Sequence, residues 1–256
     1  MPETKIALTL FNLRDYCKTS QDMDKTLQRI KEIGYEAVQV SGVPDIKPEE
    51  IKQLLDKYNL YCCATHENLN NLKNDFSEIV QKLKTLDCNF TALGSPGKDN
   101  WSLEGTKTLP GILEAIGKQF KAEDITFGYH NHAGELEKFT DKTLLQEIYD
   151  NTSTDILSAE LDVYWIQHGG GNPAQWINQL KNRIQVLHFK DYTVCDNKPV
   201  FCEIGEGNLD WENILTAAEN SSARWYVVEQ DLPFKDRDIL KSMEISFKNM
   251  KKMGIS

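Results

Sequence analysis

Along the chain, short apolar runs of strand length alternate with longer segments whose apolar residues recur every three or four positions. The strand-like runs are KIALTLF (5–11), EAVQVSG (36–42), LYCCATH (60–66), CNFTALG (88–94), ITFGYHNH (125–132), ILSAELDVYW (156–165), IQVLHFKD (184–191) and RWYVVEQD (224–231). Between them the helical period is plain in MDKTLQRIKEIG, where Leu27, Ile30 and Ile33 mark one face and Gly34 suits a C-terminal stop. The same spacing recurs in PEEIKQLLDKYN, DFSEIVQKLKTLD, TKTLPGILEAIGKQF, DKTLLQEIYDN, PAQWINQLKNR, DWENILTAAEN and RDILKSMEISFKNMKKMG, several of which open on Asp or Pro as helix starts do.

One strand followed by one helix, eight times over, requires parallel strands covered by helices, and eight units in 256 residues match the size of a (β/α)8 barrel. The expected fold is therefore α/β, a TIM barrel, with residues 1–256 forming a single domain and no Gly/Pro/Ser-rich linker dividing them. An open doubly wound sheet with a dinucleotide site is disfavoured, because no GxGxxG follows the first strand.

Composition narrows the partners. With 40% hydrophobic and 27% charged residues the chain can bury a large core, and its formal net charge of -10 comes without any long basic run. A nucleic-acid groove or an anionic membrane surface needs a concentrated positive field, so neither partner is expected. The N-terminus enters a strand-like run within a few residues and shows no leader pattern, and no uncharged stretch approaches the ~20 residues needed to span a bilayer. The expectation is a cytoplasmic protein, with a homo-oligomer left open. Cys17, Cys62, Cys63, Cys88, Cys195 and Cys202 lack CxxC spacing and are read as reduced core residues.

In a barrel, chemistry gathers where strands end, and polar residues are dense there. The fifth run ends in His130 and His132, the sixth holds Asp162, the seventh His188, Lys190 and Asp191, and the eighth Glu229 and Asp231. Alternation gives the phase: Leu187 and Phe189 are bulky and face the helices, so Val186, His188 and Lys190 face the interior, as do Val227, Glu229 and Asp231. Carboxylates and imidazoles converging from four neighbouring strands suit a divalent ion, which also relieves the repulsion among the acids. Such an ion lends Lewis acidity toward a carbonyl or hydroxyl oxygen.

The segments YHNHAGEL, LDVYWIQHGGGNP, VLHFKD, EIGEGNLDW and VVEQD, in this order at the strand ends, resemble the sugar phosphate isomerase/epimerase family of xylose-isomerase-like TIM barrels, in the branch whose fifth strand reads HNH. The resemblance implies one divalent metal, manganese foremost and magnesium, cobalt or zinc as alternatives, held by Asp162, His188, Glu229 and a strand-five group. The family's strand-five glutamate is replaced by His130, which leaves His130, His132 or Glu135 as the fourth ligand. His130 is placed as the ligand and His132 as an acid or base. A histidine often found three residues after the strand-six aspartate is here Trp165, a stacking surface for a sugar.

The implied activity is an isomerase or epimerase on a sugar, keto-sugar or cyclitol, by proton abstraction beside a carbonyl that the metal chelates. Glu229 or the strand-five His132 takes the proton, a partner group returns it or expels hydroxide, and Lys190 supports the oxyanion or pairs with Asp191. His66, Glu135, Trp165 and Asp231 are placed at the substrate. An inosose-dehydratase-like or keto-glycoside lyase is the nearest alternative, and a non-catalytic sugar-binding module or a metal-dependent endonuclease are the others. Glu160 reads as a hydrogen-bonded structural carboxylate, and Trp176 and Trp211 as core residues. Gly169–Gly171 serve a sharp turn before the helix that Pro173 opens, and an insertion ahead of EIGEG (203–207) is expected to form a hairpin over the barrel mouth.

Overall fold

A computed structural model describes residues 5–44 and 46–255; the MPET start that enters the leader expectation lies outside them. In chain order the elements are β1 (Ile6–Thr9), α1 (Ser20–Ile33), β2 (Ala37–Val40), α2 (Pro48–Lys57), β3 (Tyr61–Asn68), α3 (Leu69–Asn74), α4 (Phe76–Thr85), β4 (Phe90–Ser95), α5 (Leu103–Ala122), β5 (Thr126–His130), α6 (Leu144–Asp150) and β6 (Leu157–Asp162). They continue with α7 (Val163–His168), α8 (Pro173–Leu180), β7 (Ile184–Phe189), β8 (Asp191–Cys195), β9 (Lys198–Cys202), α9 (Trp211–Glu219), β10 (Trp225–Val228) and α10 (Ile239–Lys252).

Eight of the strands close into a parallel barrel in the order β1-β10-β7-β6-β5-β4-β3-β2, so the expected TIM barrel is the fold. Most of the apolar core lies between this barrel and the helices, where Leu8, Leu93, Phe127, Leu161, Leu187 and Phe189 pack outward. A smaller cluster fills the barrel's N-terminal half with Ala7, Ala37, Cys63, Phe90, Ala92, Val186 and Val227. Val186 and Val227 inside, and Leu187 and Phe189 outside, match the phase read from alternation. Gly128 belongs to that packing, since a Cβ there would lie 2.6 Å from Cζ of Phe90. Above this plug the interior side chains turn polar.

Local chemistry sets the strand ends. Thr9 stops β1 because its hydroxyl accepts from the Phe11 N–H and starts a 3-10 turn over Leu10–Tyr16, so the first strand is shorter than its apolar run. The sixth run overshoots too. Asp162 caps α7 by accepting from the Trp165 N–H, and Val163, Tyr164 and Trp165 are helical. Gly34 ends α1 with φ +119, the conformation its place in the sequence predicts.

The insertion after β7 is an antiparallel hairpin of β8 and β9, turned by Asp196 and Asn197 at φ 48 and 61. Its rings meet α7, with Tyr192 and Phe201 centred 5.3 and 5.0 Å from Tyr164. Asp191 anchors its base. The carboxylate accepts from the N–H of Tyr192 (2.8 Å), Gly205 (2.9 Å), Gly207 (3.2 Å) and Leu209 (3.4 Å) and from Trp211 Nε1 (2.7 Å). That set corrects the alternative in which Lys190 pairs with Asp191. It also explains Gly207, where a Cβ would lie 2.2 Å from Oδ1 of Asp191. Asp191→Asn turns an amide toward these donors, and the expected loss is about 2–4 kcal/mol, a fall of roughly 5–15 °C in the melting temperature by calorimetry; an unchanged melting temperature would contradict the anchoring role.

Candidate metal centre and active site

Four side chains close on one point above the apolar plug. His130 ends β5, Asp162 ends β6, His188 lies in β7 and Glu229 follows β10, with Asp162 opposite His188 and His188 opposite Val227 in the strand register. One ligand atom from each lies within 4.8 Å of the others. Their exposures are 3%, 0%, 1% and 7%.

Each donor is aimed by a neighbour. Asn131, between the two histidines, accepts from the Asp162 N–H at 3.0 Å and so ties the ends of β5 and β6 together. Asp162 spends Oδ1 on capping α7 and leaves Oδ2 without a hydrogen-bond partner, and Nδ1 of His130 has none either. His188 is held at both ring nitrogens, Nε2 by Oε1 of Glu160 at 2.8 Å and Nδ1 by Oε2 of Glu229 in a short contact.

A second set, His66, His130, Glu160 and His188, also gathers within 4.8 Å. Its carboxylate is already satisfied. Oε1 of Glu160 accepts from Gln39 Nε2 at 2.7 Å and meets His188, and Oε2 meets Nε2 of His66 at 2.9 Å. Glu160 is thus the hydrogen-bonded carboxylate expected from its depth, and it orients His188 with Nδ1 toward Glu229, as outer carboxylates orient metal-ligating histidines. The upper set carries the unpartnered Oδ2 and Nδ1 together with two carboxylates and two imidazoles. Those donors fit a divalent cation of the manganese, zinc or cobalt kind.

Electrostatics agree. Burial penalises the charge on His188, but Glu229 and Glu160 outweigh it and raise the ring to about 10. Burial lifts the Asp162 carboxyl to about 7, with Glu229 adding to the rise and Lys190 opposing it. Glu229 would also rise on burial, yet Lys190 and His188 hold it well below the usual carboxylate range. His132 is lowered to about 4, chiefly by burial.

Above these donors opens a cavity of about 610 Å³ whose lining includes His66, His130, His132, Trp165, Glu229 and Asp231. His132 and Trp165 face each other at 5.5 Å between ring centres. Two expected residues sit elsewhere. Glu135 is fully buried, with Oε1 accepting from Tyr129 Oη at 2.8 Å and Oε2 from the His132 N–H at 2.9 Å, so it braces the strand-five tip and lies outside the cavity lining and the convergent donor set. Lys190 is fully buried beside Asp231 (2.6 Å), Glu229 (3.6 Å) and Asp162 (4.0 Å), under the rings of Trp165 and Phe201. Its ammonium lies outside the cavity lining and acts through the carboxylates. Gln39 and Ser41, the latter 3.1 Å from Nδ1 of His66, were missed. Both had the same signal, polar residues in phase at alternate positions of the run EAVQVSG.

The profile of the family described as Xylose isomerase-like TIM barrel matches residues 27–245. The chain belongs to that family. Among curated relatives of this xylose isomerase-like barrel, an inosose dehydratase of Clostridium beijerinckii is 24% identical over 171 residues, 60% of this chain and 56% of that protein, so the chain spans little more than half of its length. Among solved structures, a sugar phosphate isomerase/epimerase from Parabacteroides distasonis has a TM-score of 0.79 at 23% identity, covering 98% of this chain and 94% of the other. A structure of IOLI protein with a binding zinc atom has a TM-score of 0.71 at 14% identity over 97% of each chain. At these identities the structural likenesses speak for the fold. No helix among the described residues is long and apolar enough to cross a membrane.

The xylose isomerase-like barrel's donors set a metal-binding experiment. Elemental analysis and calorimetry should show Asp162→Ala and His188→Ala losing at least about 100-fold in metal affinity, and Glu160→Gln about 10–100-fold as an outer partner. Full metal content in the first two variants would place the site elsewhere. Because Asp162 must shed a proton that it holds up to about pH 7 and His188 one that it holds up to about pH 10, affinity should rise with pH through 7 and on toward 10 and weaken below, with proton release visible in buffers of different ionisation enthalpy.

Proposed function

We propose that this chain is a divalent-metal-dependent isomerase or epimerase of a sugar, keto-sugar or cyclitol, working by proton abstraction beside a carbonyl. The observation that carries the reading is the convergence of His130, Asp162, His188 and Glu229 from four neighbouring strands beneath a cavity walled by His66, His132, Trp165 and Asp231. The four convergent residues are assigned to hold the ion, manganese first and magnesium, cobalt or zinc as alternatives. When bound, a divalent ion polarises a carbonyl and acidifies the neighbouring C–H.

Glu229 is the proton acceptor. Lys190 and His188 keep it ionised at neutral pH, and it lines the cavity where a substrate carbon is presented. Lys190 is a positioning residue: it binds Asp231 at 2.6 Å and faces Oε1 of Glu229 at 3.6 Å, which fixes the carboxylate's direction. His132 stands on the cavity wall with a ring that burial keeps neutral, so near pH 7 it can accept a proton or donate a hydrogen bond to an oxygen. Return of the proton by Glu229 to the neighbouring carbon gives isomerisation, and delivery to the opposite face by His132, once it has accepted a proton, gives epimerisation. Trp165 offers its ring to the C–H face of a sugar, Asp231 offers its carboxylate to hydroxyls, and His66, with both ring nitrogens engaged by Ser41 and Glu160, lines the wall beside them.

A dehydratase is the second reading, favoured by the similarity to inosose dehydratase. The same acceptor would take the proton, and His132 would protonate a departing hydroxyl. NMR in D2O separates the two over a panel of keto-sugars and inososes with metal-loaded protein: deuterium enters a recovered sugar in one case, and a dehydrated product accumulates in the other. Glu229→Gln should slow exchange by about 10³-fold and His132→Asn by about 10²-fold. An unaltered rate in Glu229→Gln rules it out as the base.

A further inference from the structure

We infer that Arg14 recognises an anionic group on the substrate, a phosphate ester or a carboxylate remote from the reacting carbonyl. The inference rests on the sugar-enzyme reading and names the charge class of its substrate.

Arg14 lies in the 3-10 turn that follows β1 and lines the same cavity as His130, His132 and Glu229. Its guanidinium is locked in place. Nη1 donates to the Phe11 carbonyl at 2.8 Å and Nη2 to the Asp231 carbonyl at 3.2 Å, and the Phe11 ring lies 4.4 Å from its central carbon. Phe11 is held in turn by Gly42, where a Cβ would sit 2.4 Å from Cδ2 of that ring.

Carbonyl oxygens satisfy N–H groups without neutralising the charge. Among the described residues no carboxylate pairs with Arg14. Lys190, the other cation near the reacting end, is buried against Asp231, Glu229 and Asp162, and Lys82 is paired with the cavity residue Glu67. Arg14 is therefore, among the described residues, the unneutralised cation of the cavity wall, in a chain of net charge -10 whose acids could have supplied a partner. A guanidinium has five N–H donors in a planar fork, and with two taken the remainder match a pair of anionic oxygens. A hydroxyl needs neither the charge nor the fork. The bond to the Asp231 carbonyl joins this anchor to the segment that carries Glu229, so anion and reacting carbon are held on one frame.

The test uses metal-loaded protein and calorimetric affinities for D-fructose, its 6-phosphate and D-fructuronate. The wild type should bind at least one anion about 10–100-fold more tightly than the neutral sugar. Arg14→Gln keeps an N–H for the carbonyls and loses the charge, so the preference should fall to about 3-fold or less, and Arg14→Lys should restore part of it. The better anion identifies phosphate or carboxylate as the group read. No preference in the wild type, including no binding of any probe, or an undiminished preference in Arg14→Gln, overturns the inference. Affinity is read without turnover, so failure of deuterium exchange with a surviving Arg14-dependent preference would sink the isomerase reading alone. Exchange with no anion preference would sink this one alone.

Discussion

Three carboxylates, a lysine and several imidazoles occupy the upper interior of a closed barrel where Glu160, Asp162, His188 and Lys190 have essentially no contact with water. In such surroundings an uncompensated charge costs several kcal/mol, and like charges a few ångströms apart add to it. The arrangement answers this with a chain of compensations. Gln39, His66 and His188 satisfy Glu160, and His188 and Lys190 neutralise Glu229. Asp162 is the member left over, with one oxygen unpartnered and its carboxyl pushed to about 7. A divalent cation held by His130, Asp162, His188 and Glu229, as proposed, would relieve both acids.

Such a polar interior is sustainable because stability is supplied elsewhere. The large apolar core lies between strands and helices, and the plug of Ala7, Ala37, Phe90, Val186 and Val227 closes the barrel below the polar layer. Position is held by backbone as much as by side chains. Asn131 staples the ends of β5 and β6, Asp162 caps the next helix with the oxygen it does not present to the centre, and Asp191 gathers the loop that returns from the hairpin. Side chains on such a frame keep their aim without water to relax around them.

His130 stands where the family resemblance leads one to expect a glutamate, and the substitution changes the charge balance. With the proposed ion bound, two carboxylates and two deprotonated imidazoles would balance its two positive charges, whereas a third carboxylate would leave the centre negative. Trp165 in place of an expected histidine likewise exchanges a polar contact for an aromatic surface, which faces His132 on one side and covers Lys190 on another.

The eightfold alternation of apolar runs and helical segments indicated the barrel, because such a repeat buries both strand faces in a closed barrel or a doubly wound sheet, and the absence of GxGxxG after the first strand disfavoured the second. Alternation within IQVLHFKD and RWYVVEQD likewise determined that His188 and Glu229 point inward. The ends of runs were less legible: in ILSAELDVYW a continuous apolar stretch crosses from strand to helix, and only the Asp162 cap marks the change. What a polar side chain touches belonged to the tertiary structure. Glu135 and Asp191 resemble active-site acids in sequence, yet one binds Tyr129 and a backbone N–H and the other anchors a loop. Arg14 reaches the cavity from the 3-10 turn after β1, where no strand or helix period points to it. Periodicity reports which side of an element is buried, but hydrogen-bond partners come from segments distant in the chain, and only closure of the barrel brings those segments together.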